Sequence, residues 1–197
     1  DVQISVNQEE IRITQETIKH AIHSLDMENS VYIRSYVYHK DGIDLAELIF
    51  TRFAGTDNPN YVGQKIEVRS LQDSLNVKIH CSINADVTNL NLVSSEPWPV
   101  QPGRKHIHVL HQDAHYTETE ITEPDHIALS FYQQVETDSP IQEENTSILV
   151  ADTLAKNETM TIRKMIAIAC SVNDPDVKQA LQHRVADLQS YAVRYEK

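Results

Sequence analysis

The chain has 197 residues, with 17 Lys and Arg against 29 Asp and Glu and a net charge of -12, which disfavours nucleic acid and anionic membrane surfaces as partners. Two cysteines are too few for a disulfide framework. Four glycines (Gly42, Gly55, Gly63 and Gly103) offer no clustered phosphate-cradling loop and argue against a barrel with many tight hairpins. No apolar run approaches the roughly 18 residues of a membrane span and no charged-then-apolar leader opens the sequence, so the expected location is the cytoplasm, or a host cytosol after secretion.

Val2, Ile4 and Val6 alternate as in a short strand. From Thr14 the apolar residues Ile18, Ala21, Ile22 and Leu25 keep i, i+3, i+4, i+7 spacing, which predicts a helix with Thr14, Glu16 and Thr17 at its capped start. Two more helices are predicted over Ser30 to His39, ended by Lys40-Asp41-Gly42, and over Asp44 to Phe53, ended by Ala54-Gly55. Gln64 to Leu75 is a fourth, with Ile66, Val68, Leu71 and Leu75 apolar. The period then changes. Val77, Ile79, Cys81 and Ile83 alternate with Lys78, His80 and Ser82, a strand with Cys81 on its apolar face. Val87 to Val93 reads as another short strand, and Pro97, Pro99 and Pro102 enforce an extended passage after it.

The segment Lys105 to Tyr116 carries four of the ten histidines on a strand pattern. His106 and His108 share one face and Ile107 and Val109 the other, while His111 and His115 fall at the strand end or in the following turn, where binding groups are often displayed. His126 to Val135 is one more strand, Asp138 to Thr146 a polar, acidic linker, and Ser147 to Val172 and Asp174 to Arg194 two helices, with Pro175 in the first turn of the last.

A zinc or iron site on His106 and His108 needs a third ligand, for which His80, His111 and Asp113 are the candidates; no cofactor is otherwise expected. Cys81 points into the core pattern, where a thiol has a high pKa and little access. Cys170 lies in an apolar run and reads as packed.

The order Tyr61-Val62-Gly63-Gln64-Lys65-Ile66-Glu67, then an alternating strand, then an apolar strand ending in His115-Tyr116, resembles the ovarian-tumour (OTU) family of cysteine deubiquitinases over about residues 14 to 117. Gly63 and Glu67 match the family's Gly and Glu, and His115 its catalytic base. The resemblance implies substrate contacts at Tyr116 and Trp98. The family's nucleophilic cysteine is missing, because Thr17 stands where it would lie at the helix start. Thr117 stands where an Asn or Asp orients the histidine, whereas His111 does have Asp113 two residues on.

Together these features predict an α+β, OTU-like fold, a small mixed sheet flanked by helices, with Val77 to Ile83 and Lys105 to Leu110 among its central strands. Residues 1–137 form the domain, 138–146 a linker and 147–197 a helical extension. Three functions stay open: an OTU-like domain that binds ubiquitin or a ubiquitin-like protein, as a catalytically deficient deubiquitinase or as an enzyme whose nucleophile is displaced, with Cys81 the candidate thiol; a metal-binding module or enzyme on the His106 to His115 cluster; and a non-catalytic protein-interaction domain.

Overall fold

The computed structural model describes residues 1–55, 58–85, 107–121 and 126–194. In chain order the first strands are β1 (Val2–Val6), β2 (Glu9–Glu10), β3 (Ile18–Asp26), β4 (Val31–Lys40), β5 (Ile43–Ala54), β6 (Tyr61–Ser70) and β7 (Ser74–Ser82). There follow β8 (Ile107–Gln112), β9 (Tyr116–Ile121), β10 (Ile127–Glu136), β11 (Ile141–Glu143), β12 (Ser147–Ala155), β13 (Thr159–Cys170) and the helix α1 (Val177–Arg194).

The strands form two antiparallel sheets. One has five strands in the order β11-β12-β7-β1-β2, the other eight in the order β3-β4-β5-β6-β13-β10-β9-β8. Alternation decides which side chains meet between them. Leu75, Val77, Ile79 and Cys81 of β7 and Ile148, Val150 and Leu154 of β12 face Leu48, Ile66, Val68, Met160 and Ile162 of the larger sheet, all of them buried in one core. The opposite face of the larger sheet is covered at one end by α1. There Val177, Leu181, Val185 and Leu188 recur at helical spacing and pack with Tyr61, Met165, Ala167 and Ala169. Asp176 starts the helix, its carboxylate accepting from the Gln179 amide at 2.9 Å.

An α+β fold is therefore not what forms. The segments expected as helices over 14–25, 30–39, 44–53, 64–75 and 147–172 are β3, β4, β5, β6 and the β12–β13 pair. The residues after 147, expected as a helical extension, supply two strands, β12 paired with β7 and β13 set between β6 and β10. The strands expected at Val2 to Val6, Asn76 to Ile83 and His126 to Val135 are present as β1, β7 and β10, and the last helix is α1. Lys105 to Leu110 and Val77 to Ile83 were expected as central strands of one sheet; β8, which starts at Ile107, instead closes one edge of the eight-stranded sheet, and β7 is central in the other. Val87 to Val93 and the three prolines after it lie outside the described residues.

Scarce glycine did not exclude hairpins, because other residues take the left-handed backbone. Asn7 and Gln8, at φ 49 and 72°, turn β1 into β2, and Asp41 and Gly42, at φ 51 and 81°, form the two-residue turn between β4 and β5.

Candidate functional site

Two places gather polar chemistry. The first is the hairpin between β8 and β9, which brings together His111, Asp113, His115 and Tyr116. Asp113 builds the turn: its Oδ1 accepts from the amides of His115 at 2.8 Å and Tyr116 at 2.7 Å. His111 Nε2 lies 3.4 Å from Asp113 Oδ2. The His115 ring stacks on Tyr132 at 5.7 Å. Its Nδ1 donates to the Gln133 carbonyl at 3.0 Å and its Nε2 to Glu143 Oε1 at 3.1 Å. Both partners accept, so this geometry suits the doubly protonated ring, the form that prevails below the folded pKa. Burial lowers its pKa, but the bonds to Gln133 and Glu143 and the charges of Glu143 and Asp113 outweigh this, leaving it above the ordinary 6.5. Because Glu143 belongs to β11, His115 ties the edge of the small sheet to the large one.

This pairing stabilises the fold fully below pH 6.5 and is lost as pH rises through the elevated folded pKa. His115→Gln is expected to lower Tm more at pH 5.5 than at pH 8.5 in thermal melts. An equal loss at both values would mean that the imidazolium contributes nothing.

Both ring nitrogens of His115 are engaged, one by the Gln133 carbonyl and one by Glu143. Cys81 is wholly buried in β7 and burial pushes its thiol pKa up. Gln133, itself buried, donates its side-chain amide to the Cys81 carbonyl at 3.2 Å and the Ala114 carbonyl at 2.5 Å, which fastens the turn to β7 through the Cys81 backbone. Thr17 starts no helix; its hydroxyl accepts from the Thr14 amide at 3.0 Å and donates to the Arg12 carbonyl, shaping the approach to β3. Thr117 is buried in β9. His108 faces Glu120 across the β8–β9 ladder, and His80 Nδ1 lies 3.3 Å from Glu144 Oε2. Among the described residues no three His, Cys, Asp or Glu side chains gather to hold a metal. His106 and Trp98 lie outside the described residues.

The second place is a cleft of about 400 Å³ between β1–β2 and the inner face of the large sheet, which sequence reading missed. Register builds it. Arg52 of β5, Gln64 of β6 and Lys164 of β13 lie directly opposite one another on adjacent strands, and Arg34 of β4 lies opposite Phe50 of β5. The Arg34 guanidinium sits 5.5 Å from the centre of the Phe50 ring, and its Nε is buried with no hydrogen-bond partner. Burial, then the charge of Arg34, pushes the Arg52 pKa down. Lys164, only 2% exposed, donates to the Ser82 carbonyl at 2.6 Å, and burial lowers its pKa. Beside the cleft His23 Nε2 is 2.8 Å from the Tyr36 hydroxyl, and the Tyr32 hydroxyl is 3.3 Å from His23 Nδ1. The signal that could have found this cleft is charge at inward positions of otherwise apolar strands, above all Lys164 in Thr161-Ile162-Arg163-Lys164-Met165-Ile166.

Two face-to-face antiparallel sheets with one helix laid on the outer face define a β-sandwich module. The family model for the glycosyl hydrolase family 65, N-terminal domain matches residues 1–197, and the chain belongs to that family. Among solved structures it is similar to a putative kojibiose phosphorylase from human microbiome, at 11% identity and a TM-score of 0.71, with 98% of this chain and 24% of that chain covered. A heparan sulfate lyase HepC mutant from Pedobacter heparinus also aligns, at 8% identity and a TM-score of 0.40, over 84% of this chain and 23% of that one. No curated protein matches. The chain thus spans about a quarter of the phosphorylase that it resembles. Family membership and fold overturn the OTU resemblance, and with it the expected deubiquitinase function and ubiquitin as partner.

Proposed function

We propose that this chain is a non-catalytic β-sandwich module of a longer carbohydrate-active enzyme, one that cleaves a short glycoside of the kojibiose type with phosphate. The observation that carries this is the correspondence of nearly the whole chain to one quarter of a putative kojibiose phosphorylase. The electrostatics agree. Glycoside cleavage ordinarily needs a carboxylic acid kept protonated by a raised pKa. Among the described residues the carboxyls with displaced pKa values, Asp26, Asp44, Asp113 and Asp174, are all pushed down. Asn29, Lys19 and Arg184 do this at the first, second and fourth; at Asp113 burial raises the pKa, but the amides of Tyr116 and His115 overcome it. These groups are held ionised and serve the scaffold.

The chain alone, supplied with kojibiose and phosphate, is expected to release no glucose phosphate, whereas the longer protein containing it does. Turnover by the chain alone would overturn the non-catalytic role. A longer protein inert on every glucose disaccharide offered with phosphate would overturn the substrate class.

A further inference from the structure

We infer that the cleft between β1–β2 and the large sheet binds a phosphate-type dianion, either free or carried on a sugar, through Arg34 and Arg52. This does not depend on the function proposed above, since it rests on charge and geometry within the cleft. In a chain of net charge -12, two guanidinium groups are set on neighbouring strands of one wall, and neither has a carboxylate partner among the described residues. Other cations of the sheet do have one: Arg69 lies 2.5 Å from Glu47 and Lys19 2.7 Å from Asp44. The cleft carboxylates, Asp1 and Glu10, belong to the exposed opposite wall.

A buried guanidinium N–H without an acceptor is costly, so Arg34, whose Nε is buried and unpartnered, is an under-satisfied cation that gains from an acceptor placed where its side chain lines the cleft. The neighbouring Arg52 charge adds repulsion that an anion between the two would relieve. Guanidinium groups fork onto phosphate oxygens, and a dianion matches two of them in charge, whereas a carboxylate matches one. Gln64, in line with Arg52, adds an amide donor, and the ammonium group of Lys164 is already engaged by the Ser82 carbonyl. The volume, about 400 Å³, lies in the range of small-ligand sites and leaves room for a sugar ring beside the anion. Ile11, Ile13 and Phe50 supply the apolar surface against which a ring could lie.

The test is calorimetric titration of the chain with inorganic phosphate, glucose 1-phosphate and glucose, at constant ionic strength set with chloride. Saturable one-to-one binding of a phosphate compound is expected, with glucose much weaker. Tighter binding of glucose 1-phosphate than of phosphate identifies a sugar-borne ligand; equal binding identifies the free anion, and either supports the site. Arg34→Gln and Arg52→Gln should each weaken binding at least about tenfold, and Arg52→Lys by less, while Lys178→Gln on the exposed helix surface leaves it unchanged. Thermal melts separate binding from folding, since phosphate should raise the Tm of the parent chain and fail to raise that of a folded Arg34→Gln variant. Absence of binding, equal binding of glucose, or binding that survives both arginine substitutions would overturn the proposal.

Discussion

Arg184→Ala is expected to destabilise the chain by about 3 kcal/mol, because it strands a carboxylate that the fold has taken out of water. Asp174 and Arg184 form a two-pronged pair at 2.7 and 2.8 Å, with side chains only 12% and 16% exposed. Asp174 Oδ2 also accepts from the Cys170 amide at 3.0 Å, and Arg184 donates to the Ile168 carbonyl at 2.9 Å. One interaction thereby joins the end of β13, the turn after it and the middle of α1. Arg184 also depresses the Asp174 pKa, so its contribution is complete above the ordinary carboxyl value of 3.8 and is lost as pH falls through the folded value. Urea unfolding at pH 7 measures the effect. A loss below about 1 kcal/mol would class the pair with exposed ones, and Asp174→Leu combined with Arg184→Met should recover part of what either change loses.

Gly63→Ala is expected to cost about 1–3 kcal/mol, through crowding. Gly63 lies on β6 directly between Phe53 of β5 and Met165 of β13. A Cβ there would fall 2.0 Å from Phe53 Cε1 and 2.8 Å from Met165 Sδ. The ring crosses the bare backbone to reach the apolar cluster under α1, so it must rotate away from the helix to make room. Phe53→Leu should therefore cost less in the Gly63→Ala background than in the parent, a coupling that denaturation of the four proteins would reveal. Additive losses would show that the ring does not meet the new methyl group.

The same glycine explains how the OTU resemblance arises. Gly63 and Glu67 are four residues apart, a spacing that shares a face in a helix and equally in a strand, so the motif carries no information about which one forms. In the strand that does form, Glu67 pairs with Lys65 at 3.0 Å. β3 hid for another reason. A bulge between Lys19 and Ile22, with His20 at φ 51°, breaks the alternation and leaves Ile18, Ala21, Ile22 and Leu25 at helical spacing. β13 is covered by the small sheet on one face and by α1 on the other, so it reads as a continuous apolar run instead of an alternating one. β7 was legible because only one of its faces is buried. Asp41-Gly42 was legible too, as a turn pair, but a helix stop and a primed hairpin share that chemistry. Of the two polar sites, the β8–β9 turn is local in sequence and could be found there. The cleft joins Arg34, Arg52, Gln64 and Lys164 only through strand register, which no local pattern encodes.

The place of β13 also governs how the chain emerges during synthesis. Until Thr159 to Cys170 has left the ribosome, β6 lacks a neighbour on one side, and the larger sheet exists as two pieces, β3-β4-β5-β6 and β10-β9-β8. At about 5–20 residues per second, β6 waits on the order of ten seconds with a bare, hydrogen-bonding edge. Both pieces can pair with another nascent chain during that time. Contacts so distant in sequence also make folding slow once they become possible. Yield on expression should therefore respond to chaperone supply and synthesis rate more than the finished sandwich's stability alone would imply.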